Sequence, residues 1–286
     1  MTSSDASPES GRPSRRPSLW PPPPPRGVVA KIGDASVGFL QHLGGLSRMF
    51  AGAVRAGFRR PFEWRAIVDQ FWALGVRSLG IVFVTSVFIG MVMAVQFAFG
   101  LRKFGGMEYT GRVVALSFAR ELAPSLTAII VGGRIGAGMA AEVGAMNVTE
   151  QIDAVRALGA DPLKKLVWPR LIASIVVMPI LSSFALVLGF SGAMLVTDFE
   201  FHIPAAFFLN SALTAVSLMD VVAGMAKTPF FGAIIALVGC HFGLITTGGT
   251  AGVGNSTTRT VVTISITILI ADFFLTKLAI LLWPSG

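Results

Sequence analysis

The run VVALSFARELAPSLTAIIVGGRIGAGMAAEVGAMNVTEQIDAVRALGADPLKKLVWPR, residues 113–170, sets the fold. Its first part is apolar over a length that crosses a bilayer, and its last residues open another apolar segment. Between them, Asn147 to Gly159 is short and charged. Ile152, Val155 and Leu158 recur at intervals of three, which makes a narrow apolar stripe flanked by Glu150, Asp153 and Arg156. Asn147 is the expected N-cap with Glu150 at the third helical position, while Gly159 offers a left-handed stop and Pro162 forbids continuation. A helix of about eleven residues is marginal alone in water, so this one is expected to dock on a neighbouring surface.

Outward from that insert, the composition is that of an integral membrane protein: 286 residues, 53% apolar, 13% charged, with a mean hydropathy of +0.72. A window of about nineteen residues selects five candidate spans, near 78–100, 113–141, 170–197, 218–245 and 260–283. An odd number puts the termini on opposite sides. Outside the spans, the side of the N-terminus, the 142–169 loop and the 246–259 loop holds fifteen Lys and Arg residues, with Arg170 at the edge making sixteen. The other side holds three, Arg102, Lys103 and Arg112. The excess of positive charge therefore places the N-terminus and the insert in the cytoplasm and the C-terminus outside.

Residues 1–27 contain Pro21 to Pro25, several serines and four arginines, and read as a disordered or polyproline-like tail rather than a secretory signal. From Val28 to Arg60, Phe39, Leu43, Leu46, Phe50, Val54 and Phe58 fall at helical spacing, with Gln41, Arg48, Arg55 and Arg59 off that line. Two compatible readings follow: an interfacial helix on an anionic leaflet, or a helix covering other helices. The net charge of +8 is concentrated toward this end, which points to lipid head groups and not to nucleic acid. The lone Cys240 excludes an internal disulfide and a thiolate metal cluster. Its neighbour His241 has no second acid or base at a spacing that supports intramembrane nucleophilic catalysis, so a packed cysteine and an interfacial histidine are expected.

Charges inside the spans are the candidate functional groups, because each costs about 2.5 to 3.5 kcal/mol at the membrane centre unless it is paired or wet. Arg120 and Glu121 are sequence neighbours, roughly 100° apart around a helix, and so need not neutralise one another. They either line a polar part of a substrate path or belong to an interhelical ion-pair network. Lys227 and Asp272 are expected to pair across a helix interface, and Arg134 and Lys277 to snorkel. Gly132, Gly133, Gly136 and Ala137 form small-residue motifs suited to close helix packing. The first span carries Phe83, Phe88, Met91, Met93, Phe97 and Phe99 around one polar residue, Gln96, a surface suited to lipid contact or to a pocket for acyl chains.

Several ordered motifs carry a resemblance: Val87 to Val92, Arg120-Glu121-Leu122-Ala123-Pro124, Gly133-Arg134, Thr149 to Gly159 with Asp161-Pro162 and Pro169-Arg170, and Thr257 to Val262 with Asp272-Phe273. Together, over about residues 40–283, the chain resembles the MlaE/YrbE permease family, the membrane subunits of ABC-type lipid transporters that work with MCE proteins. The family's cytoplasmic signature, E-E-x-D-A-L-x-x-L-G, reads here as Glu150 to Gly159 with Gln151 for the second Glu and Val155 for the Leu.

The resemblance implies an all-α membrane protein. It would have an interfacial N-terminal helix (28–77 with its lead-in) and a permease domain over 78–286. That domain would hold five transmembrane helices and a cytoplasmic coupling helix, about 147–159, between the second and third. It implies a homodimer, a cytoplasmic ABC ATPase gripping Glu150, Ile152, Asp153, Val155, Arg156, Leu158 and Gly159, and a periplasmic MCE-domain protein. A STAS-domain regulator of the ATPase stays an open partner. Membrane lipids would be the substrate, with Met93, Gln96, Phe97, Leu101 and Phe104 contacting the amphiphile and Arg120 and Glu121 near its polar portion. ATP and magnesium would sit on the partner, since this sequence has no Gly-x-x-x-x-Gly-Lys-Ser/Thr loop and calls for no cofactor or metal of its own. The alternative, from a different class, is a self-contained ion- or proton-coupled carrier using Arg120, Glu121, Lys227 and Asp272 as a relay.

Overall fold

In a computed structural model of the protein, residues 44–57 and 63–282 are described, and no strand occurs among them. The 1–27 tail and Phe39, Leu43, Phe58 and Arg59 lie outside the described residues. The helices are α1 (44–57), α2 (Trp64–Leu74), α3 (Leu79–Arg102), α4 (Thr110–Ser117), α5 (Thr127–Val148), α6 (Gln151–Ala157), α7 (Trp168–Phe201), α8 (Ala205–Ala215), α9 (Leu218–Leu244) and α10 (Gly249–Leu282). Two wide π-helical stretches, Phe118–Leu126 and Leu163–Val167, join α4 to α5 and lead into α7.

Five helical runs are long and apolar enough to cross a membrane: Trp64–Arg102, Met107–Val148, Leu163–Phe201, Leu218–Leu244 and Gly249–Leu282. The protein is thus an all-α membrane protein, and each expected span falls within or closely overlaps one of these runs. The first run starts earlier than hydropathy alone indicates, because α2 feeds into α3 through a bend at Gly75 and a 3₁₀ turn at Val76–Ser78. Between the third and fourth of these runs the chain folds into α8, which lies against α4.

A proline stands within one π-helical stretch and just after the other. Proline lacks the N–H that the carbonyl four residues back would accept, and its ring crowds that carbonyl. Pro124 thereby leaves the carbonyl of Arg120 without its α-helical partner, and the chain widens over residues 118–126 to re-form the ladder at longer intervals. Pro169 stands four residues after Lys165 and ends the Leu163–Val167 stretch in the same way.

Helix α3 lies along α7, α7 along α9, α9 along α5, and α10 along both α5 and α9. The buried face of α3 is a ladder at intervals of four, Val82, Ser86, Gly90, Ala94 and Ala98. It meets Gly189 and Gly192 of α7 so closely that a Cβ on Gly90 would overlap the Gly189 carbonyl and one on Gly192 would stand 2.5 Å from the Val87 carbonyl oxygen. Without water to drive apolar association between spans, such close backbone packing is the main source of adhesion. Gly132 and Gly136 of α5 are notches for Ile235 of α9 and for Ile264 of α10.

Helix α1 buries Met49, Ala53 and Ala56 while Phe50 stays exposed, and its Gly45, Gly52 and Gly57 abut His241, Leu163 and Trp168. In the described part, this segment covers other helices of the chain.

Gly90→Val should force α3 off α7 and lower the melting temperature of the detergent-solubilised protein, at a cost of about 1–3 kcal/mol for overpacking. Gly138→Ala, at a position with open space around it, should leave the melting temperature unchanged.

Candidate functional site

Arg120 and Glu121 sit side by side on the π-helical stretch inside the second span and turn to different partners. The Arg120 Nε donates to Asp220 Oδ1 at 2.7 Å. Asp220 is fixed at the start of α9 by a capping box, in which its Oδ2 accepts from the Ser217 N–H at 2.8 Å and its own N–H donates to Ser217 Oγ at 3.2 Å. Glu121 belongs to a second group. Lys227 Nζ donates to Glu121 Oε2 at 2.9 Å, to Asp272 Oδ1 at 3.1 Å and to Thr276 Oγ1 at 2.8 Å. Thr276 in turn donates to Glu121 Oε1 at 3.1 Å. All three N–H donors of the ammonium are therefore used.

Burial divides these groups by role. The side chain of Lys227 is 5% exposed, but Glu121 is 40% exposed, and Arg120 is 45% exposed against 9% for Asp220. Each accessible charge is thus held by a buried partner on another helix, so its head group is fixed in place while one side stays open. Arg134, expected to snorkel, instead donates to Ser78 Oγ at 2.8 Å, and Ser78 donates to the Leu74 carbonyl at 2.6 Å. The guanidinium pins the bend between α2 and α3.

Along α3, Met93 and Phe97 are half-buried against the core, Leu101 is half-buried and Gln96 exposed. Phe104, past the end of the helix, is 87% exposed. These residues share one face by spacing, and α3 lies against α4, which runs directly into the stretch carrying Arg120 and Glu121. Cys240 is buried, in keeping with a packed side chain. Among the described residues no group of His, Cys, Asp and Glu is arranged to hold a metal.

The insert after the second span differs from its sequence pattern in one respect. Asn147 is not an N-cap, because it lies inside α5, where its side-chain amide donates to the Thr246 carbonyl at 2.9 Å. That tertiary bond holds the residue in the helix, and the chain turns instead at Glu150, which has a left-handed φ of 57° and caps α6 without a side-chain hydrogen bond. Gly159 is left-handed, with φ 76°, as the stop requires. The stripe splits: Ile152 is fully buried against Val143 and Leu166, with Met146 and Leu244 beside it. Val155 is half-buried and Leu158 is 86% exposed. Asp153 and Arg156 form an exposed ion pair at 2.8 Å, of little energetic weight.

Residues 67–278 match the family described as permease MlaE. The chain is 42% identical over 215 residues to the Arabidopsis thaliana chloroplast protein Trigalactosyldiacylglycerol 1, covering 75% of this chain and 61% of that one. It is 43% identical over 214 residues to a probable ABC transporter permease of Synechocystis, covering 75% and 81%. Over 251 residues it is 38% identical to a probable ABC transporter permease of Rickettsia conorii, covering 88% and 97%. A matched segment that takes in all five spans and the insert between the second and third establishes that the chain belongs to the MlaE family of ABC transporter permeases.

Proposed function

We propose that this permease passes phospholipid-like lipids between the inner membrane and a periplasmic MCE-domain protein, driven by a separate cytoplasmic ATPase that holds the ATP and magnesium. The observation that carries this reading is the pair of half-exposed charges, Arg120 and Glu121, inside an apolar span. Charged groups at that depth are unfavourable against hydrocarbon and favourable against a polar head group or a wet cavity. The half-buried Met93, Phe97 and Leu101 supply adaptable apolar surface on the neighbouring helix for the acyl portion. The Arabidopsis relative carries the name of a diacyl lipid, which supports a lipid-related role.

A second copy of the chain closes the open side of this region in a homodimer. Arg120 and Arg134 are both exposed on the second span, and lipid is a poor neighbour for either. Leu158, projecting beyond a helix whose other anchor is buried, is the knob that fits a groove on the ATPase, with Val155 and Arg156 beside it. The charge bias around the spans sets the N-terminus in the cytoplasm and the C-terminus in the periplasm.

Leu158→Asp should abolish co-purification of the ATPase while membrane insertion and melting temperature stay as in the natural chain, and retention of the complex would count against the docking surface. Glu121→Gln keeps the shape and the Lys227 contact and should lower lipid transfer in reconstituted vesicles by about tenfold with little loss of stability. Lys227→Met, which strands two carboxylates, should destabilise the fold by about 3–5 kcal/mol, read as loss of monodisperse protein in detergent. Transport by vesicles that contain no ATPase would overturn the proposal in favour of a self-contained carrier.

A further inference from the structure

The base of α6 and the corner between α9 and α10 meet at a small polar junction. Thr246, whose carbonyl accepts the Asn147 amide at 2.9 Å, is buried in that corner. Its hydroxyl lies 2.7 Å from the Phe242 carbonyl and 2.8 Å from the Ser256 hydroxyl. The single Thr246 proton serves the carbonyl, so Ser256 donates the other bond. One residue thus ties the end of α5, the end of α9 and the first turns of α10.

The surroundings leave little room for slip. A Cβ on Gly144 would stand 3.0 Å from Thr246 Oγ1, and one on Gly243 would stand 2.7 Å from the Val143 Cβ. Ile152 closes over Val143 and Leu166 next to this contact, with Leu244 at its edge. The packing restrains this contact, and an N–H···O bond, which weakens steeply away from its preferred geometry, restrains its direction as well. The Asn147 bond therefore fixes the corner to the end of α5, from which the turn at Glu150 leads directly into α6, and so adds to what the packing restrains. Helix α10 then runs unbroken from Gly249 to Leu282, carrying Ser256 toward one end and Asp272 and Thr276 toward the other.

We propose, resting on the function above, that Asn147 and Thr246 form a latch that makes α10 move with α6. A displacement imposed at Leu158 reaches Asp272 and Thr276 along α10, and through Lys227 it reaches Glu121. Asn147 and Thr246 are positioning residues: neither touches the lipid or the ATPase. The motor's stroke then acts on the charged site from the α10 side as well as through the directly attached α5.

The test uses Asn147→Leu, which removes the amide donor at similar volume, and Thr246→Val, which removes the hydroxyl and with it the bonds to Ser256 and to the Phe242 carbonyl. Spin labels at the exposed positions Asp153 and Thr258, on full-length permease in nanodiscs with labelled chains diluted by unlabelled ones so that only distances within one chain are read, should give one narrow distribution in the natural background and a broader one in each variant. In the complex, each variant should retain bound ATPase and basal ATP hydrolysis while lipid transferred per ATP falls by about tenfold, within the range of measured coupling effects. An unchanged distance distribution in Asn147→Leu overturns the latch. A broadened distribution with unchanged lipid per ATP overturns its role in coupling. A natural chain that binds no ATPase refutes the proposed function instead, and the distances measured on the permease alone still decide the latch.

Discussion

Burying Lys227 inside an apolar bundle is the constraint from which the rest of the architecture follows. An ammonium in that position is tolerable only if every donor is satisfied and opposite charge stands close by. Satisfaction here takes three elements at once: Glu121 from the π-helical stretch, and Asp272 and Thr276 from α10, converge on a lysine of α9. That requirement fixes the relative height and rotation of α9, α10 and the middle of the second span. The notches at Gly132 and Gly136 that receive Ile235 and Ile264 can only be in register when the charges are. Polar specificity and small-residue packing thus select the same arrangement.

The proline in the second span makes this compatible with an accessible site. A regular α-helix would hold Arg120 and Glu121 in a fixed phase with the small residues that pack against α9 and α10. Widening over 118–126 shifts that phase, so that Ala119 meets Gly224 of α9 while the adjacent arginine and glutamate reach Asp220 and Lys227 and still keep one side open. One backbone irregularity lets neighbouring residues serve close packing and charge presentation together, in line with the frequent placement of π-helical turns at functional sites.

Which of these features the sequence discloses follows from the range of the interactions involved. Five spans are legible because each is decided locally, by some twenty apolar residues against the thickness of a bilayer. The partnership of Lys227 with Asp272 is legible in kind, since buried opposite charges have few other ways to be satisfied. The inclusion of Glu121, and the separate partner of Arg120, depend on helix rotations that periodicity does not fix. Pro124 is visible as an interruption, but its outcome as a widened turn rather than a kink is set by what packs around it. The cap assignment at Asn147 misses for the same reason: Asn is a good N-cap by local chemistry, yet a carbonyl about a hundred residues away captures its amide and the helix continues past it. Helix α8 escapes because its eleven residues, mostly apolar, are too few for a span and carry no charge periodicity.

Helix α10 brings these strands together. It has 34 residues and buries only Thr260, Ile264 and Ile268, each four apart. At 1.5 Å per residue it is about 51 Å long, well beyond the hydrocarbon thickness of about 30 Å. Along that seam Ile264 sits in the notch at Gly136, and polar contacts toward either end of the helix add their own constraint on its position. One is the Ser256 bond at the corner by the insert, and the other is the Asp272 and Thr276 group around Lys227. A long helix keyed along its side at Gly136 and held at two polar points has the mechanical character of a connecting rod: the apolar seam sets its direction and register, and the hydrogen bonds decide what it connects.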